Sequence, residues 1–513
     1  MKKLLIALLL ICLPFSGSIT AQTKYAVEPP TRNDFVPLLY QLADASMQGR
    51  ETGTEGGRKA AALIATKFAE AGIQSFYESY YQSFGLIKTS VSSAGLAVES
   101  AEEGLKSIAD FPGEELFLLS CADDFNVSSS LVFAGYGLLS ADSTYNSFAN
   151  LDAKNKVVVV LEGVPGEADT TGKVWQTFGR AFANEGNLLK MKRNTAKNFG
   201  ATALVVLRTS QKTDSFVQWV SDITGDDWVN YPDSDYWFDD YQESECVPVA
   251  LCNNNSSLNI AKLLDINPLT VISVLAQHTK TNFPEPKPVK AQLWAKLKRE
   301  QTEARNVIGM IKGVDTTRTI VIGGHYDHLG MRGEHIYYGA DDNASGASGV
   351  VALAGKWAEN NTAPQCNLVF ACWDGEEKGL FGSRYFVNHL TEQQKLSTKL
   401  YFNMDMISRS AEEDSLRRVV SVGIRAQDTG LILMAQQCNT LTNSAFDLDI
   451  WDVNGHSGSD YAGFKDNNIP VMTFFSGFHS DYHTPRDTKE QTDPEKMEKI
   501  LRLVNECIQH VQH

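Results

Sequence analysis

Short apolar runs alternate with helical patterns through the second half of the chain. Four runs rich in β-branched or aromatic residues occupy 319–322, 367–372, 400–402 and 470–475. After the first run, apolar residues recur at helical spacing over 343–359, which predicts a helix there. Strands that are apolar on both faces and separated by helices indicate an α/β fold. We therefore predict a mixed, mostly parallel sheet covered by helices on both faces.

Two further helices are predicted near the ends of the chain. Over 58–72, a stripe of Ala61, Ile64, Ala65 and Phe68 recurs at helical spacing, and Gly72 provides a stop. The last helix is predicted to begin near Thr492–Glu495, where Pro494 suits the first helical position. Its period of 3.6 is kept by Met497, Ile500, Leu501, Val504, Ile508 and Val511.

The middle of the chain has a different pattern of apolar and polar residues. Short β-rich runs separated by Gly, Asn and Asp occupy 131–136, 157–161, 201–207 and 247–251. They predict a separate, small β-rich module over 118–280, which ends in a stiff connector carrying Pro284, Pro286 and Pro288. The predicted α/β domain is thus discontinuous, with 25–117 and 285–513 on either side of the insert.

The N-terminus has the pattern of a secretory signal. Lys2 and Lys3 precede an apolar run over 4–15, and small and polar residues follow up to Ala21. We predict that residues 1–21 are a signal peptide and that the protein is secreted or periplasmic. Cys12 lacks the small residue before it that a lipidation site requires. No other stretch reaches the roughly 18 apolar residues of a membrane span, so none is expected after signal removal.

Composition excludes several classes of protein. The 513 residues are 43% hydrophobic and 21% charged, which is typical of a globular protein. A net charge of −16 without a long basic run disfavours nucleic-acid binding. Eight cysteines without a C-x-x-C pair argue against a disulfide scaffold, a zinc ribbon or a thioredoxin-like site. Cys246 and Cys252 could form a disulfide or remain buried free thiols.

Each of the four apolar runs in the second half leads into residues that bind metals or transfer protons. These residues are His325 and Asp327, Glu376 and Glu377, Asp405, and Tyr482 and His483, with Asp341 and Asp342 before the predicted helix. In open α/β sheets, ligands bind outside the carboxyl ends of the strands. A rim with so many carboxylates is costly unless cations lie between them. The sequence therefore predicts a metal site.

The donor types narrow the choice of metal. Imidazole nitrogen mixed with carboxylate oxygen favours zinc, with manganese or cobalt as alternatives. Two histidines and at least three acids exceed the ligand set of one tetrahedral catalytic zinc. Two ions that share one carboxylate fit better.

Five ordered motifs in this region resemble those of a known family. They are His325-x-Asp327, Gly-Ala-Asp-Asp-Asn-Ala-Ser-Gly at 339–346, Asp-Gly-Glu-Glu-x-Gly at 374–379, Asn-Met-Asp-Met at 403–406, and Tyr482-His483. They resemble the co-catalytic zinc exopeptidases of metallopeptidase family 28, which include bacterial leucyl aminopeptidases and glutamate carboxypeptidases. Residues 118–280 likewise resemble the protease-associated (PA) domain of many members, through Gly135-Tyr136-Gly137 and 156–160.

The resemblance implies the zinc exopeptidase fold, two Zn2+ ions per chain and a role for each matched residue. Asp342 would bridge the ions, His325 and Asp405 would complete one site, and Glu377 and His483 would complete the other. Glu376 would act as the general base or acid, Asp327 would orient His325, and Tyr482 would donate to the tetrahedral intermediate. The family also implies a cis peptide bond between Asp342 and Asn343.

The predicted function is that of a zinc-dependent aminopeptidase acting on peptide substrates. A metal-bridged hydroxide would attack, with Glu376 moving the proton. The alternatives are a carboxypeptidase acting on acidic C-terminal residues, a single-zinc acyltransferase similar to glutaminyl cyclases, and a non-catalytic receptor. A serine hydrolase is disfavoured because Gly455-x-Ser457-x-Ser459 ends in Ser rather than Gly. Side-chain specificity and oligomeric state have no clear sequence signal.

The remaining polar residues near the motifs receive weaker interpretations. His328, His335, His456 and His479 are expected to be structural, with His456 as the substitute if His483 fails, and so are Asp374 and Asp452. Arg409 could bind a substrate carboxylate or neutralise the rim. Residues 459–461 are expected to line the pocket. The insert is expected to shape the entrance, an expectation that rests on analogy alone.

Overall fold

The computed structural model describes residues 27–100, 104–111, 115–119, 124–184, 188–209, 215–216, 219–220, 235–239, 247–277, 289–360 and 362–512. The predicted signal peptide, Cys246 and the proline-rich connector lie outside these residues. Cys252 is a buried free thiol.

The α-helices surround the sheet and are numbered in chain order. They are α1 (Arg32–Leu42), α2 (Glu55–Glu70), α3 (Arg180–Asn184), α4 (Leu188–Asn198), α5 (Asn254–Leu263), α6 (Pro268–Gln277), α7 (Gly346–Glu359), α8 (Phe381–Asn388), α9 (Glu392–Ser397), α10 (Thr429–Leu441), α11 (Tyr461–Asp466) and α12 (Pro494–His510). None of the described helices is both long and apolar enough to cross a bilayer.

The strands fall mostly into one large sheet. They are β1 (Gln74–Ser75), β2 (Tyr81–Ser100), β3 (Gly104–Phe111), β4 (Leu116–Leu119), β5 (Phe125–Phe133), β6 (Val157–Leu161), β7 (Ala203–Leu207), β8 (Asp235–Phe238), β9 (Val249–Cys252), β10 (Val289–Ile311), β11 (Asp315–His325), β12 (Gly330–Arg332), β13 (His335–Tyr337), β14 (Cys366–Trp373), β15 (Thr398–Met404), β16 (Val419–Ile424), β17 (Asp447–Asp452) and β18 (Val471–Phe475).

The four apolar runs of the second half are neighbouring parallel strands. The order β18-β15-β11-β14 is parallel throughout. Strand β10 joins β14 antiparallel, and β16 joins β18 antiparallel with β17 beyond it. The predicted strands are therefore present, and their carboxyl ends lie at one edge.

Both faces of this sheet are covered, as the apolar runs predict. Ile320 and Ile322 of β11 pack into the core beneath α7, whereas Val321 belongs to the core on the opposite face, with Phe386 of α8 and Phe464 of α11. Alternate residues of a strand point to opposite faces, so a strand buried on both sides must be apolar throughout.

The predicted terminal helices form with the expected buried faces. In α2, the Thr54 side chain accepts the Gly57 amide at the N-terminus, and the four stripe residues are buried. In α12, the Asp493 side chain accepts two amides of the first turn, ahead of Pro494 at the first helical position. A side-chain acceptor satisfies amides that have no partner within the helix.

The middle of the chain adds a second parallel group to the same sheet. Strands β5, β6, β7 and β9 are parallel neighbours, and β10 connects them to the first group because it pairs with both β5 and β14. The pairing of β10 with β2 extends over most of both strands. The sequence interpretation missed this ladder, and the proposed domain boundaries stay a prediction.

The predicted helix over 343–359 begins three residues later than expected. Ala340–Ser345 forms a π-helical turn in which Asp342 and Asn343 have non-helical dihedral angles, and α7 starts at Gly346. The peptide bond between Asp342 and Asn343 is cis, as the resemblance implies.

Candidate metal centre

Residues from three strand ends and one helical turn meet at the edge of the sheet. His325 is the last residue of β11, Asp405 follows the end of β15, and Glu376 and Glu377 lie in the turn after β14. Asp342 comes from the turn before α7. The carboxyl ends of parallel strands share one edge, so distant parts of the sequence become neighbours there.

The carboxylate of Asp342 lies between two imidazoles. Its Oδ1 is 3.4 Å from His325 Nε2, and its Oδ2 is 3.1 Å from His483 Nε2. The two oxygens of one carboxyl group therefore face different histidines.

Each histidine also faces a second acid. Asp405 Oδ1 is 3.2 Å from His325 Nε2, and Glu377 Oε2 is 3.3 Å from His483 Nε2. Glu376 Oε2 lies on the His325 side, 3.9 Å from its Nε2. The five predicted ligands and Glu376 thus form one cluster, arranged as two groups on either side of Asp342.

The cluster is an electrostatically unbalanced site. Burial opposes protonation of His325, but the carboxylates of Glu376 and Asp405 outweigh it and raise the pKa of His325 well above its usual value. Burial also opposes charge on His483, yet Glu377 and Asp342 raise its pKa to about 11. Burial raises the pKa of Glu376 well above its usual range. The two histidine shifts show that the carboxylates of the site attract positive charge.

The donor set fits divalent cations. His483 Nε2 is buried without a hydrogen-bond partner among the described residues, although two carboxylates lie within 3.3 Å. Two triads, His325 with Asp342 and Glu377, and His325 with Glu376 and Asp405, each bring their donor atoms within 4.8 Å of one another. Nitrogen and oxygen donors at this density are typical of a site for borderline metals.

Asp327 lies beneath the cluster and makes different contacts from those expected. The closest acceptor to His325 Nδ1 is the carbonyl oxygen of Asp327, at 3.1 Å, while its carboxylate is 3.7 Å away. The carboxylate instead accepts the backbone amides of Glu376 and Glu377, at 3.1 and 3.3 Å, and the Thr52 hydroxyl at 3.1 Å. Asp327 therefore positions the turn that carries the two glutamates, in addition to supporting the histidine.

His328 contacts the cluster, which the sequence interpretation did not anticipate. Its Nδ1 is 2.7 Å from Glu377 Oε1 and 3.6 Å from Asp342 Oδ2, and the side chain is fully buried. This residue is a hydrogen-bonded structural histidine, as expected, and the carboxylate that it bonds belongs to the cluster. Its place directly after His325-x-Asp327 was the signal that could have shown this.

Arg50 is a second contributor that no sequence motif indicated. It is fully buried and donates to the carbonyl oxygens of Leu42, Tyr326, Tyr338 and Gly339, at 2.7–2.8 Å. Burial lowers its pKa to about 10, although nearby acids, first among them Asp342, counteract this effect. Arg50 thus holds together the backbone next to His325 and the backbone before Asp342, and it places a positive charge behind the cluster.

Asp341 faces away from the cluster, unlike its neighbour Asp342. Its Oδ1 accepts the Ser408 amide and hydroxyl at 2.7 and 2.8 Å, and His479 Nε2 lies 3.3 Å from its Oδ2. The choice of Asp342 over Asp341 as the central carboxylate agrees with this geometry.

A cavity of about 430 Å³ opens next to the cluster. Tyr482 lines it and stacks on His483, with ring centroids 3.8 Å apart. Ser459 and Tyr461 also line the cavity, as expected, and the Ser459 hydroxyl donates to Asp405 at 2.6 Å. Arg409 is not among the lining residues and forms an ion pair with Asp481 at 3.0 Å.

Solved structures share this fold over nearly the whole chain. An aminopeptidase from Aneurinibacillus sp. strain AM-1 matches with a TM-score of 0.56 at 16% identity, covering 93% of this chain and 94% of that one. A zinc aminopeptidase from Bacillus subtilis matches with a TM-score of 0.51 at 19% identity, covering 94% and 96%. The chain has the fold of these aminopeptidases, which confirms the predicted mixed, mostly parallel sheet covered by helices.

Residues 306–508 match peptidase family M28. A probable leucine aminopeptidase 2 of Aspergillus oryzae is 31% identical over 191 residues, 37% of each chain. Aminopeptidase YwaD of Bacillus subtilis is 25% identical over 213 residues, 40% of this chain and 44% of that one. The chain thus spans less than half of these relatives. The predicted resemblance to family 28 is confirmed over residues 306–508, whereas the resemblance of 118–280 to a PA domain stays a prediction.

Proposed function

We propose that this protein is a zinc-dependent aminopeptidase. The observation that carries the proposal is the position of Asp342, whose two carboxylate oxygens face His325 and His483 separately. That arrangement suits one carboxylate shared by two ions. The relatives named as aminopeptidases support the same reaction.

Two Zn2+ ions per chain would be held by the two groups of donors. His325 and Asp405 would hold one ion, Glu377 and His483 the other, and Asp342 both. When bound, the ions would polarise a substrate carbonyl and lower the pKa of water toward neutrality. His328 would keep Glu377 in place through its contact with Oε1.

Glu376 is the proton carrier in this proposal. Its carboxylate lines the cavity, and the Asp327 carboxylate accepts its backbone amide, which fixes the turn that presents it. It would take a proton from the attacking water and return it to the leaving amine. Burial raises the pKa of Tyr482, so its hydroxyl stays protonated and can donate to the developing oxyanion.

The cavity favours an aminopeptidase over a carboxypeptidase. Its described lining contains no lysine or arginine, and Glu376 and Asp449 are carboxylates that neither ion would hold. Carboxylates attract the ammonium group of a peptide N-terminus, whereas an acidic C-terminal residue requires a cation. Arg409, the candidate cation, already forms its ion pair with Asp481.

The first and middle parts of the sequence support proposals on where the enzyme is located and on which substrates reach its site. We propose export to the periplasm or the exterior, which the pattern of residues 1–21 supports. Residues 118–280 are proposed to be a PA domain that restricts access by large substrates. Mass spectrometry of the exported protein tests the first proposal, since the mature chain should begin at Gln22.

Substrate and metal assays on the full chain test the central proposal. We expect cleavage of aminoacyl-nitroanilides, inhibition by a chelator, recovery with Zn2+, and no effect of a serine-directed reagent. Cleavage of N-acyl dipeptides alone would indicate a carboxypeptidase. Elemental analysis should give two zinc ions per chain, and a value of one would favour the acyltransferase alternative.

A further inference from the structure

The cavity extends from the acid cluster across three strands to a separate carboxylate. In the sheet register, Ser421 of β16 is opposite both Asp449 of β17 and Phe475 of β18. Asp405 adjoins this row, because its amide donates to the Phe474 carbonyl of β18. Asp405, Phe475, Ser421 and Asp449 all line the cavity.

Asp449 is held in a defined orientation at the far end of this row. The Ser421 hydroxyl donates to its Oδ2 at 2.8 Å. The structure gives it no ion pair with another described residue, in contrast to Asp447 on the same strand, which faces Arg418 at 3.7 Å. Asp449 therefore presents to the cavity a carboxylate that forms no ion pair with a described residue.

The wall between the two ends is aromatic. Trp451 follows Asp449 by two residues, so both side chains project from the same face of β17. A Cβ atom at Gly423 would collide with Trp451 and Thr473, so glycine leaves room for the indole to lie across β16. Phe475 and Phe478 form an edge-to-face pair, with centroids 4.8 Å apart, and both line the cavity.

The distance between Asp405 and Asp449 favours substrates whose N-terminal residue has a long side chain. Three strand spacings, about 14 Å in total, separate the backbones at Asp405 and Asp449. The side chains of both residues face the same cavity and shorten this span. A residue held at the acid cluster would need an extended, unbranched side chain to reach Asp449.

We propose that the cavity selects peptides whose N-terminal residue has a long cationic side chain, lysine or arginine. The methylene stem would pack on Trp451 and Phe475, and the charged end would pair with Asp449. This proposal rests on the proposed aminopeptidase function, and it assigns the specificity to Asp449.

The test compares two substrates that differ in the terminal amine. Lysyl- and norleucyl-nitroanilide have stems of similar length, so the ratio of their kcat/KM values isolates the charge. The full-length, zinc-loaded protein should prefer the lysyl substrate. Asp449→Asn should lower the ratio about 3- to 5-fold, as for an ion pair open to solvent. Raising the ionic strength should lower the ratio of the unaltered protein toward that of the variant.

A matched control removes the same charge elsewhere on β17. Asp447→Asn should leave the ratio unchanged, because Asp447 is not among the residues lining the cavity. Norleucyl turnover by Asp449→Asn verifies that the variant is folded. A ratio at or below one in the unaltered protein, or equal ratios in the two variants, would overturn the role of Asp449. If the aminopeptidase proposal itself is wrong, the result differs, because a chelator would then inhibit the cleavage of neither nitroanilide.

Discussion

Parallel strands end in polar residues at two places in this protein, and the two ends differ in how their charges are balanced. The strands β6 and β7 are fully buried and lead into Glu162 and Thr209, much as β11 and β14 lead into His325 and Glu376. Strand ends alone therefore do not explain a site.

At the β6–β7 end, the polar groups are bonded to one another. The amide and hydroxyl of Thr209 both donate to Glu162 Oε1 at 2.6 Å. Lys192 of α4 donates to the Leu161 carbonyl at 2.6 Å. A polar group that is buried and bonded in this way contributes to stability and specificity of packing.

At the edge formed by β11, β14 and β15, the acids outnumber the nearby cations. Three histidines, His325, His328 and His483, lie among four carboxylates, and the guanidinium of Arg50 lies behind them, bound to backbone carbonyls. Such an excess of buried acid is costly without added positive charge. The comparison indicates that charge excess, together with an adjoining cavity, distinguishes the site for chemistry from the stabilising one.

The largest effect is expected from Glu376→Gln, which removes the proton carrier and keeps the shape. We expect kcat to fall at least about 10²-fold with zinc content unchanged, as is usual when a general base is lost. Steady-state kinetics and elemental analysis measure both quantities. The same substitution at the other strand end, Glu162→Gln, is the control and should leave kcat within about twofold. Near-normal turnover by Glu376→Gln would exclude the assigned role.

Asp327→Asn tests the support beneath the site. Its carboxylate accepts two amides of the glutamate turn, so we expect a loss of about 10- to 100-fold in zinc affinity or kcat/KM. Thr52→Val removes a single donor to the same carboxylate and should lose less. Zinc competition titrations separate the two, and an unaltered affinity and rate in Asp327→Asn would contradict the positioning role.

Lys192→Met tests how the buried amine at the β6–β7 end makes the stability of the protein depend on pH. Burial lowers the Lys192 pKa to about 7, so between pH 7 and the usual lysine value the unfolded chain binds more protons than the folded one. The penalty for burying this amine is complete below about pH 7 and declines as pH rises.

The free energy of unfolding of the unaltered protein should therefore increase by about 2 kcal/mol relative to Lys192→Met between pH 7 and pH 9. Denaturant titrations at the two pH values measure it. Aminopeptidase activity should be the same in both proteins at pH 7. Parallel pH dependences of stability would show that Lys192 does not titrate in this window.

Thr209→Val should have the smallest effect. It removes the hydroxyl bond to Glu162 and leaves the amide bond, so we expect a loss of about 1 kcal/mol in stability without a change in kcat/KM. Thermal unfolding and a nitroanilide assay provide the two readouts. A fall in kcat/KM would show that the two strand ends are coupled, contrary to the comparison.

Much of the fold follows from local patterns in the sequence. The runs that became β11, β14, β15 and β18 are apolar on both faces, which is a strong signal for buried parallel strands. Strand β10 was missed, although Val289, Ala291, Leu293 and Ala295 are buried and alternate with residues that are exposed or half-buried. Its middle, over 296–303, is charged and mostly exposed, and this part obscured the period of two.

The site residues that stand in sequence motifs could be predicted. Those that reach the site only through the packing of distant segments could not. His325, Asp342, Glu376, Glu377, Asp405 and His483 all stand in motifs, and the structure brings them together. Arg50 and Thr52 reach the cluster from a turn almost 300 residues before Asp342, and no local pattern encodes that approach. The bonds from the Glu376 and Glu377 amides to the Asp327 carboxylate depend on the path of the turn after β14, which no local pattern encodes.

The continuity of β10 has a mechanical consequence. Its 23 residues pair with β2 and β5 toward one end and with β14 toward the other, and the amide of Arg305 donates to Asp374 just ahead of Glu376. A hinge between the proposed insert and the sheet that bears the metal centre would have to break this ladder, since hinges lie in loops or at the ends of elements. A displacement of β5 would reach the turn that carries Glu376 and Glu377 through β10, which pairs with both β5 and β14.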